Sequence, residues 1–596
     1  MKSRRTTFEH ALYTLAFLLA LGLRFYRLGD APLTDAEAQW ALQALQIARG
    51  GLFREALGLG PHPAYLLLTG ATFSVVEASN FLARFWPALA GSLLALLPIT
   101  LRRPLGGATA VVMAFGLALD PGLVAISRTV GGPVMALSFG LLALGLWYAR
   151  RPVLAGLSSG MALLSGPQIL MGILILLFTL LVIYLLGARA EAPEEEEQSG
   201  PGGFSAWLNP AANRLALFSA GVVVLLVGTL FLTQPQGLAA WFESLPAFLI
   251  GWVRASGIPA LRLVIALLVD EPLVLIFAGV GLARGISYRP AWLEADGRSN
   301  PATTAWFLLL AAAVALALAL LYPGRQVADL GWTLVPLWGL AALGLAPEFR
   351  WGEDRVISFM QAALVVVLLA LFWLNLAALT TGLNGGAAAT MRVGILTGIL
   401  GLIVVTTFLF SMGWSWEAAR QGLAWGGSFA LTLYLVFVLW RATQLAPNQP
   451  QELWKSPPGT GQTALMMQTL HDLSEWNTGL KNQIEVVSTV DSPSLAWLLR
   501  NFPKASFSAG LPQSQTPPIL ITGENESSPA LTAGYRGQDF VWWVRPGWAG
   551  AIPPDTLNWF AFRTAPLQEE HVILWAREDL FPGGASGTQT GATGQP

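Results

Sequence analysis

"RFYRLGDAPLTDAEAQWALQAL", residues Arg24–Leu45, follows the first apolar run of the chain and sets Asp30, Asp35 and Glu37 within eight positions. Only 12% of the 596 residues are charged, so three acids crowded where a membrane segment would emerge ask for a reason. From Pro32 onward Ala, Gln and Leu dominate and predict a helix, with Glu37, Trp40, Ala41 and Ala44 along one face and Gln39, Gln43 and Gln46 beside it. Such a helix is amphipathic and suits a membrane interface. Asp35 and Glu37 fall in its first turn, where the helix dipole favours carboxylates. Capping and chemistry both account for them at this point.

Outward from this stretch the chain is overwhelmingly apolar. It is 54% hydrophobic with a mean hydropathy of +0.56 and 24 Trp, outside the range of soluble globular proteins, and reads as an integral membrane protein. At roughly 20 residues per crossing, about thirteen transmembrane helices are predicted. They lie near 10–28, 80–100, 107–126, 132–149, 152–165, 168–187, 213–233, 260–283, 303–322, 331–347, 357–380, 392–412 and 422–440. Lys2, Arg4 and Arg5, then Arg102–Arg103, Arg150–Arg151, Arg189, Arg214, Arg284, Arg289, Arg350, Arg355 and Arg420, fall in alternate loops. The positive-inside rule makes those loops and the N-terminus cytoplasmic. The alternation closes only if "GLSSGMALLSGPQILMGILILL" breaks at Ser165–Gly166–Pro167, as a Gly-Pro pair permits. Arg441, predicted outside, departs from the pattern. The basic head before the first run lacks a small-residue cleavage pattern ahead of Arg24, so the first span is predicted to stay in place.

The membrane part is predicted over 1–441. Within it, 188–212 carries Glu194–Glu197 among Pro and Gly, a composition that predicts a disordered acidic cytoplasmic loop. From Trp454 the pattern changes to short runs, "QIEVVSTV", "PILITG", "DFVWWV" and "HVILWARED", that predict strands. "SPSLAWLLRNF" predicts a helix capped by Ser492 with Pro493 at its first position, and "TALMMQTLHDLSEWNTG" an amphipathic helix ending near Gly479. A small α/β domain over 454–581 and a flexible tail over 582–596 result. An odd number of spans puts that domain outside the cell membrane, on the side of the Asp30–Glu37 loop. A net charge of -1 gives no basic field for nucleic acid, and the absence of cysteine excludes disulfides, thiolate metal sites and thiol nucleophiles.

The order of several motifs resembles a known group. These are the first span with "LRFYRLGDAPL", the acidic pair opening a helix, "HPAYLLL" at His62–Leu68, "FLARFWPALAGSLLALLP" at Phe81–Pro98, "ISRTVGGPVMALSFGLLALGLWYA" from Ile126, and the Gly-rich break. Together they look like the GT-C superfamily of membrane glycosyltransferases, more narrowly the protein O-mannosyltransferase and lipid A aminoarabinose transferase group. "YPGRQVADLGWTLVPLWGLAAL" from Tyr322 extends the likeness weakly, and the tail resembles a flippase-activity-associated prokaryotic branch. The resemblance implies an all-α polytopic membrane domain with a small extracytoplasmic α/β domain. It also implies transfer of a sugar, with inversion, from a polyprenyl-phosphate carrier to a lipid, glycan or protein acceptor on the outer face.

That chemistry needs a general base and cations, or a divalent metal, for the leaving phosphate. The resemblance makes Asp35 or Glu37 the base and Arg325, beside Tyr322 and Asp329, the phosphate clamp. Arg128 is a second cation, and His62 shapes the pocket. The family's adjacent Asp-Glu pair is here spaced as Asp35-Ala36-Glu37, and Pro133 stands where an acid is common, so Asp120 is the candidate for a second acidic ligand. The alternative is a non-catalytic descendant that binds a lipid-linked glycan or accompanies a flippase. A secondary transporter is a third reading, with Asp270–Glu271 before Pro272 as its best intramembrane charge, on a kinked helix or between two short segments.

Overall fold

A computed structural model describes residues 2–50, 60–187, 210–286 apart from 234, 301–349, 354–380, 386–442, 452–454 and 459–581, the last with short gaps at 509, 511–515, 527–532 and 549. The acidic loop up to residue 209 and the tail from 582 lie outside the described residues. Pro210–Gly228 is already helical, so the last three residues expected in that loop belong to a helix.

Among the described residues, nine helices are long and apolar enough to cross a membrane, and two broken helix pairs are so when each pair is taken together. Gly107–Leu119 and Pro121–Ser127 meet at 53°, and Ala260–Asp270 and Pro272–Gly285 at 84°. With the shorter apolar helices Pro133–Tyr148 and Pro152–Leu164, these correspond one to one with the thirteen stretches read from the sequence. The chain is a multi-pass membrane protein. Two further short apolar helices, Pro63–Val75 and Gly237–Gly251, were not expected as spans.

Proline places the breaks, because each lacks the N–H that would continue the helical ladder. At Asp120–Pro121 the Asp120 side chain takes over, its Oδ1 accepting from Leu123 N at 2.6 Å. At Ser165–Pro167 the chain turns through Gly166 with φ +113°, a conformation a side chain resists. The first span ends at Phe25, three residues earlier than expected. There Arg128 Nη1 donates to the carbonyls of Leu23, Arg24 and Tyr26 at 2.8–3.1 Å, satisfying acceptors that every helix end leaves open.

The C-terminal part is a six-stranded sheet of β1 (Gly459–Thr460), β2 (Val486–Ser488), β3 (Ala505–Phe507), β4 (Ile519–Gly523), β5 (Tyr535–Pro546) and β6 (Leu567–Arg577), in the order β1-β5-β6-β4-β2-β3. Strands β2, β3 and β4 pair in parallel and the remaining pairs are antiparallel. Trp542 and Trp543 are buried in its core, together with Met466, Leu470 and Leu473 of the Thr463–Thr478 helix.

One arginine fastens this part to the membrane helices. Arg563, fully buried at a left-handed φ of +55°, donates through Nη2 to Asp270 Oδ1 at 2.8 Å and Tyr434 Oη at 2.9 Å, inside the 84° break. Its Nη1 lies 3.5 Å from Glu452 Oε2, and Arg441 Nε donates to Glu452 Oε1 at 3.1 Å. Arg441, the arginine that departs from the charge alternation, is therefore the partner of a buried acid. Asp270–Glu271 lies at the sharp bend between two short helices, and the bend holds a protein cation.

Candidate functional site

The opening stretch folds as expected. Thr34 caps the Asp35–Ala48 helix in a reciprocal arrangement: its Oγ1 accepts from Glu37 N at 3.3 Å, and Glu37 Oε2 accepts from Thr34 N at 3.1 Å. Glu37 then goes further than a cap. Arg84 donates to it through one edge of the guanidinium, Nη2 to Oε2 at 2.7 Å and Nε to Oε1 at 2.9 Å, and Val130 N donates to Oε1 at 3.1 Å. The remaining Arg84 donors close the Leu28–Pro32 loop through the carbonyls of Leu28, Ala31 and Pro32. Burial alone would push the Glu37 carboxyl up; the Arg84 charge and hydrogen bonds, with the Thr34 and Val130 amides, hold it below its ordinary value. Glu37 is thus an anionic joint between three segments.

Asp35 faces the sheet domain. Its Oδ1 accepts from Ser492 Oγ at 2.6 Å, Ser494 Oγ at 2.6 Å and Ser494 N at 3.1 Å. Among the described residues Oδ2 has no bond, and Asp35 is half-buried. A cleft of about 360 Å³ runs beside this contact, between Gln39, Gln43 and Gln46 on one wall and Asp491, Ser492 and Phe507 on the other.

His62 lies at the Gly-rich break. Burial lowers its imidazole from 6.5 to about 4, so the ring is neutral, and its Nδ1–H donates to Ser165 O at 3.1 Å while Trp40 meets it edge-on at 5.1 Å. A Cβ at Gly166 would stand 2.1 Å from Nδ1, so the glycine makes room for the ring.

Beyond that break is a polar pocket of about 310 Å³, lined by Gln168, Arg254, Ser256, Tyr322, Gln326 and Asp329. Tyr322 stacks on Phe248 at 5.4 Å and donates to its carbonyl at 3.1 Å; a Cβ on Gly251 would collide with that hydroxyl. Asp329 Oδ2 accepts from Gln326 N at 2.8 Å. Two groups in the pocket lack partners among the described residues: the exposed Arg254 guanidinium, and Gln168 Oε1, which is buried. A buried acceptor with nothing to accept from is costly and marks a place for a ligand's donor.

Arg325 does not line this pocket. Its Nη1 and Nη2 donate to Ile258 O and Leu320 O, both at 3.1 Å, which makes it a brace between the end of the Pro301–Leu321 helix and the segment before Ala260. Arg128 is likewise spent on the end of the first span. Asp120 is fully buried between Leu123 N and Trp338 Nε1, the latter at 2.6 Å, away from the pocket residues. Among the described residues no three His, Asp or Glu side chains gather as a metal site. Arg254 is the cation that sequence reasoning missed; "GWVRASG", an Arg among small residues after Trp252, was the available signal.

The helix Gln168–Gly187 carries a second cavity. Gln168 and Met171 face the polar pocket, while Ile169, Ile173 and Leu176 on the adjacent face line an apolar groove of about 300 Å³ with Leu144 and Trp332.

No protein-family model matches the chain, and no curated protein matches it. Among solved structures it is similar to ArnT from Cupriavidus metallidurans bound to undecaprenyl phosphate, with 14% identity, 88% of this chain and 94% of that one covered, and a TM-score of 0.50. The apo state of that protein gives 15% identity, 94% and 97% coverage and a TM-score of 0.49. The Archaeoglobus fulgidus oligosaccharyltransferase in its apo form gives 13% identity, 84% and 64% coverage and a TM-score of 0.39. At such identities the likeness is one of fold, here a helical membrane part followed by a small C-terminal α/β part.

Proposed function

We propose that this chain moves a sugar from a polyprenyl-phosphate carrier to an acceptor at the outer face of the membrane, with inversion at the anomeric carbon. The observation that carries the reading is the pairing of cavities on one helix: a polar pocket with an unpaired arginine and an unpaired acceptor, beside an apolar groove. A lipid-linked sugar has that composition, an anionic phosphate and hydroxyls joined to a hydrocarbon chain. Arg254 would hold the phosphate, Gln168 Oε1 would accept from a sugar hydroxyl, and the groove would take the start of the polyprenyl chain. The fold neighbour ArnT, bound to undecaprenyl phosphate, lends support from outside the chain.

In this reading the acceptor hydroxyl gives its proton to Asp35 as its oxygen bonds to the anomeric carbon. The bond from that carbon to the phosphate oxygen breaks, and the polyprenyl phosphate leaves as an anion beside Arg254. Asp35 is preferred to Glu37 because one of its oxygens is unengaged. The Gln-lined cleft beside it offers the acceptor a seat. The N-terminus is cytoplasmic and the sheet domain extracytoplasmic.

Binding of undecaprenyl phosphate to the purified protein, followed by native mass spectrometry, tests the carrier. Wild type should retain it and Arg254→Ala should lose it. A second reading, a non-catalytic binder of lipid-linked glycan, is favoured by the way Arg84 and the two serines occupy the acidic pair. Turnover separates them: an enzyme consumes the glycosylated carrier and Asp35→Asn slows it about 10²–10⁴-fold, whereas a binder holds the carrier unchanged. For orientation, a cysteine at Ser527 should react with an impermeant reagent on intact cells and one at Ser199 should not.

A further inference from the structure

The sheet domain has a cavity of its own, of about 360 Å³, between the Thr463–Thr478 helix and strands β5 and β6. Register explains why it is open. Arg536 stands opposite Ala576 and Gln538 opposite Leu574, so two long polar side chains and a small one share a face. The helix supplies Asp472 and Trp476 one turn apart, and Phe581 closes the far side.

The groups here have unused capacity. Trp476 is 68% exposed, which is unusual for an indole in a water-soluble fold. Asp472 and Gln538 have no side-chain partners among the described residues. Arg536 lies over the Phe581 ring at 4.9 Å with Nε 3.9 Å from Glu578, so one edge of the guanidinium is held and the other is free. The cavity is thus an aromatic wall beside a carboxylate, an amide and a guanidinium edge.

We propose that this cavity is a saccharide-binding site, taking a neutral pyranoside. A pyranose ring has an apolar C–H face that stacks on an indole and a rim of paired hydroxyls that match planar, two-point hydrogen-bonding groups. Asp472 and Glu578 disfavour a phosphate or a uronate. Burying Asp472, Arg536 and Glu578 in a lipid surface would strip water from three charges, which disfavours membrane insertion through Trp476. The site is separate from the transfer reading: Asp35 meets the helix that follows β2, and this cavity lies over β5 and β6.

The test uses the full chain in nanodiscs and saturation-transfer-difference NMR with mannobiose, chitobiose and maltose. At least one should bind saturably with a dissociation constant below about 10 mM. Trp476→Ala and Asp472→Ala should each weaken it about tenfold or more, with unchanged thermal unfolding, whereas Trp414→Ala at a membrane helix end should not. Failure of all three disaccharides to bind overturns the proposal, as does binding that survives Trp476→Ala. Binding of neutral phosphatidylcholine vesicles lost in the Trp476 variant, without sugar binding, would assign the face to the membrane and overturn it too. None of these outcomes depends on transfer activity or on undecaprenyl phosphate binding.

Discussion

Glu37 and Arg84, 47 residues apart, meet through two parallel hydrogen bonds of 2.7 and 2.9 Å with both side chains less than a tenth exposed. Removing one partner strands the other. Glu37→Gln should cost about 3–5 kcal/mol of stability, read as a lower melting temperature in detergent. The double variant Glu37→Gln, Arg84→Met should recover part of the loss. If Glu37→Gln melts like wild type and only turnover falls, Glu37 is the base.

Acidification should weaken the fold in two windows. Glu37 has a lowered folded value, so its contribution is present above its ordinary 4.5 and lost as pH falls through that lower value. His62 is lowered from 6.5 to about 4, so the unfolded chain binds its proton first. Its contribution is complete above 6.5 and falls as pH drops from 6.5 to about 4. Melting temperatures at pH 7 and pH 5 should therefore differ in wild type and differ less in His62→Gln.

Arg254 and Arg325 should fail in different ways. Arg254→Ala removes a free cation and should weaken undecaprenyl phosphate binding about 10–100-fold with little change in melting. Arg325→Ala removes two hydrogen bonds to the carbonyls of Ile258 and Leu320 and should lower the melting temperature first. The reverse pattern would return the phosphate to Arg325.

Arg563→Leu leaves Asp270 buried without its cation and Glu452 with Arg441 alone, and should cost about 3–5 kcal/mol. Hydrogen exchange should rise around 452–454 and 556–563, and Asp270→Asn added to Arg563→Leu should restore part of the protection. Unchanged exchange in Arg563→Leu would mean that the apolar contacts alone dock the sheet domain.

The helices and their breaks were legible because they are local. Gly166–Pro167 and Glu271–Pro272 each interrupt the ladder within a residue or two, and Ser492–Pro493 starts its helix by the same local logic, whereas the break at Asp120–Pro121 falls inside the stretch read as one span over 107–126. The use of the charges was not legible. Arg128 and Arg325 are the residue type of a phosphate site and Glu37 that of a general base, yet each is claimed by a carbonyl or a partner far along the chain. The small residues beside Arg254 are a local signal, but they do not tell that its guanidinium stays free. Which arginine is left over depends on the packing of all the others.

The 293 residues between Asp270 and Arg563 also set an order of events during synthesis. At about 5–20 residues per second, the bent span with Asp270 and Glu271 is made roughly fifteen to sixty seconds before its counter-charge exists. Throughout that interval Asp270 must be housed at the break by water, a proton or an insertion partner. A ribosome that stalls before residue 563 therefore leaves an immature membrane part with its charge defect unrepaired, a ready mark for quality control.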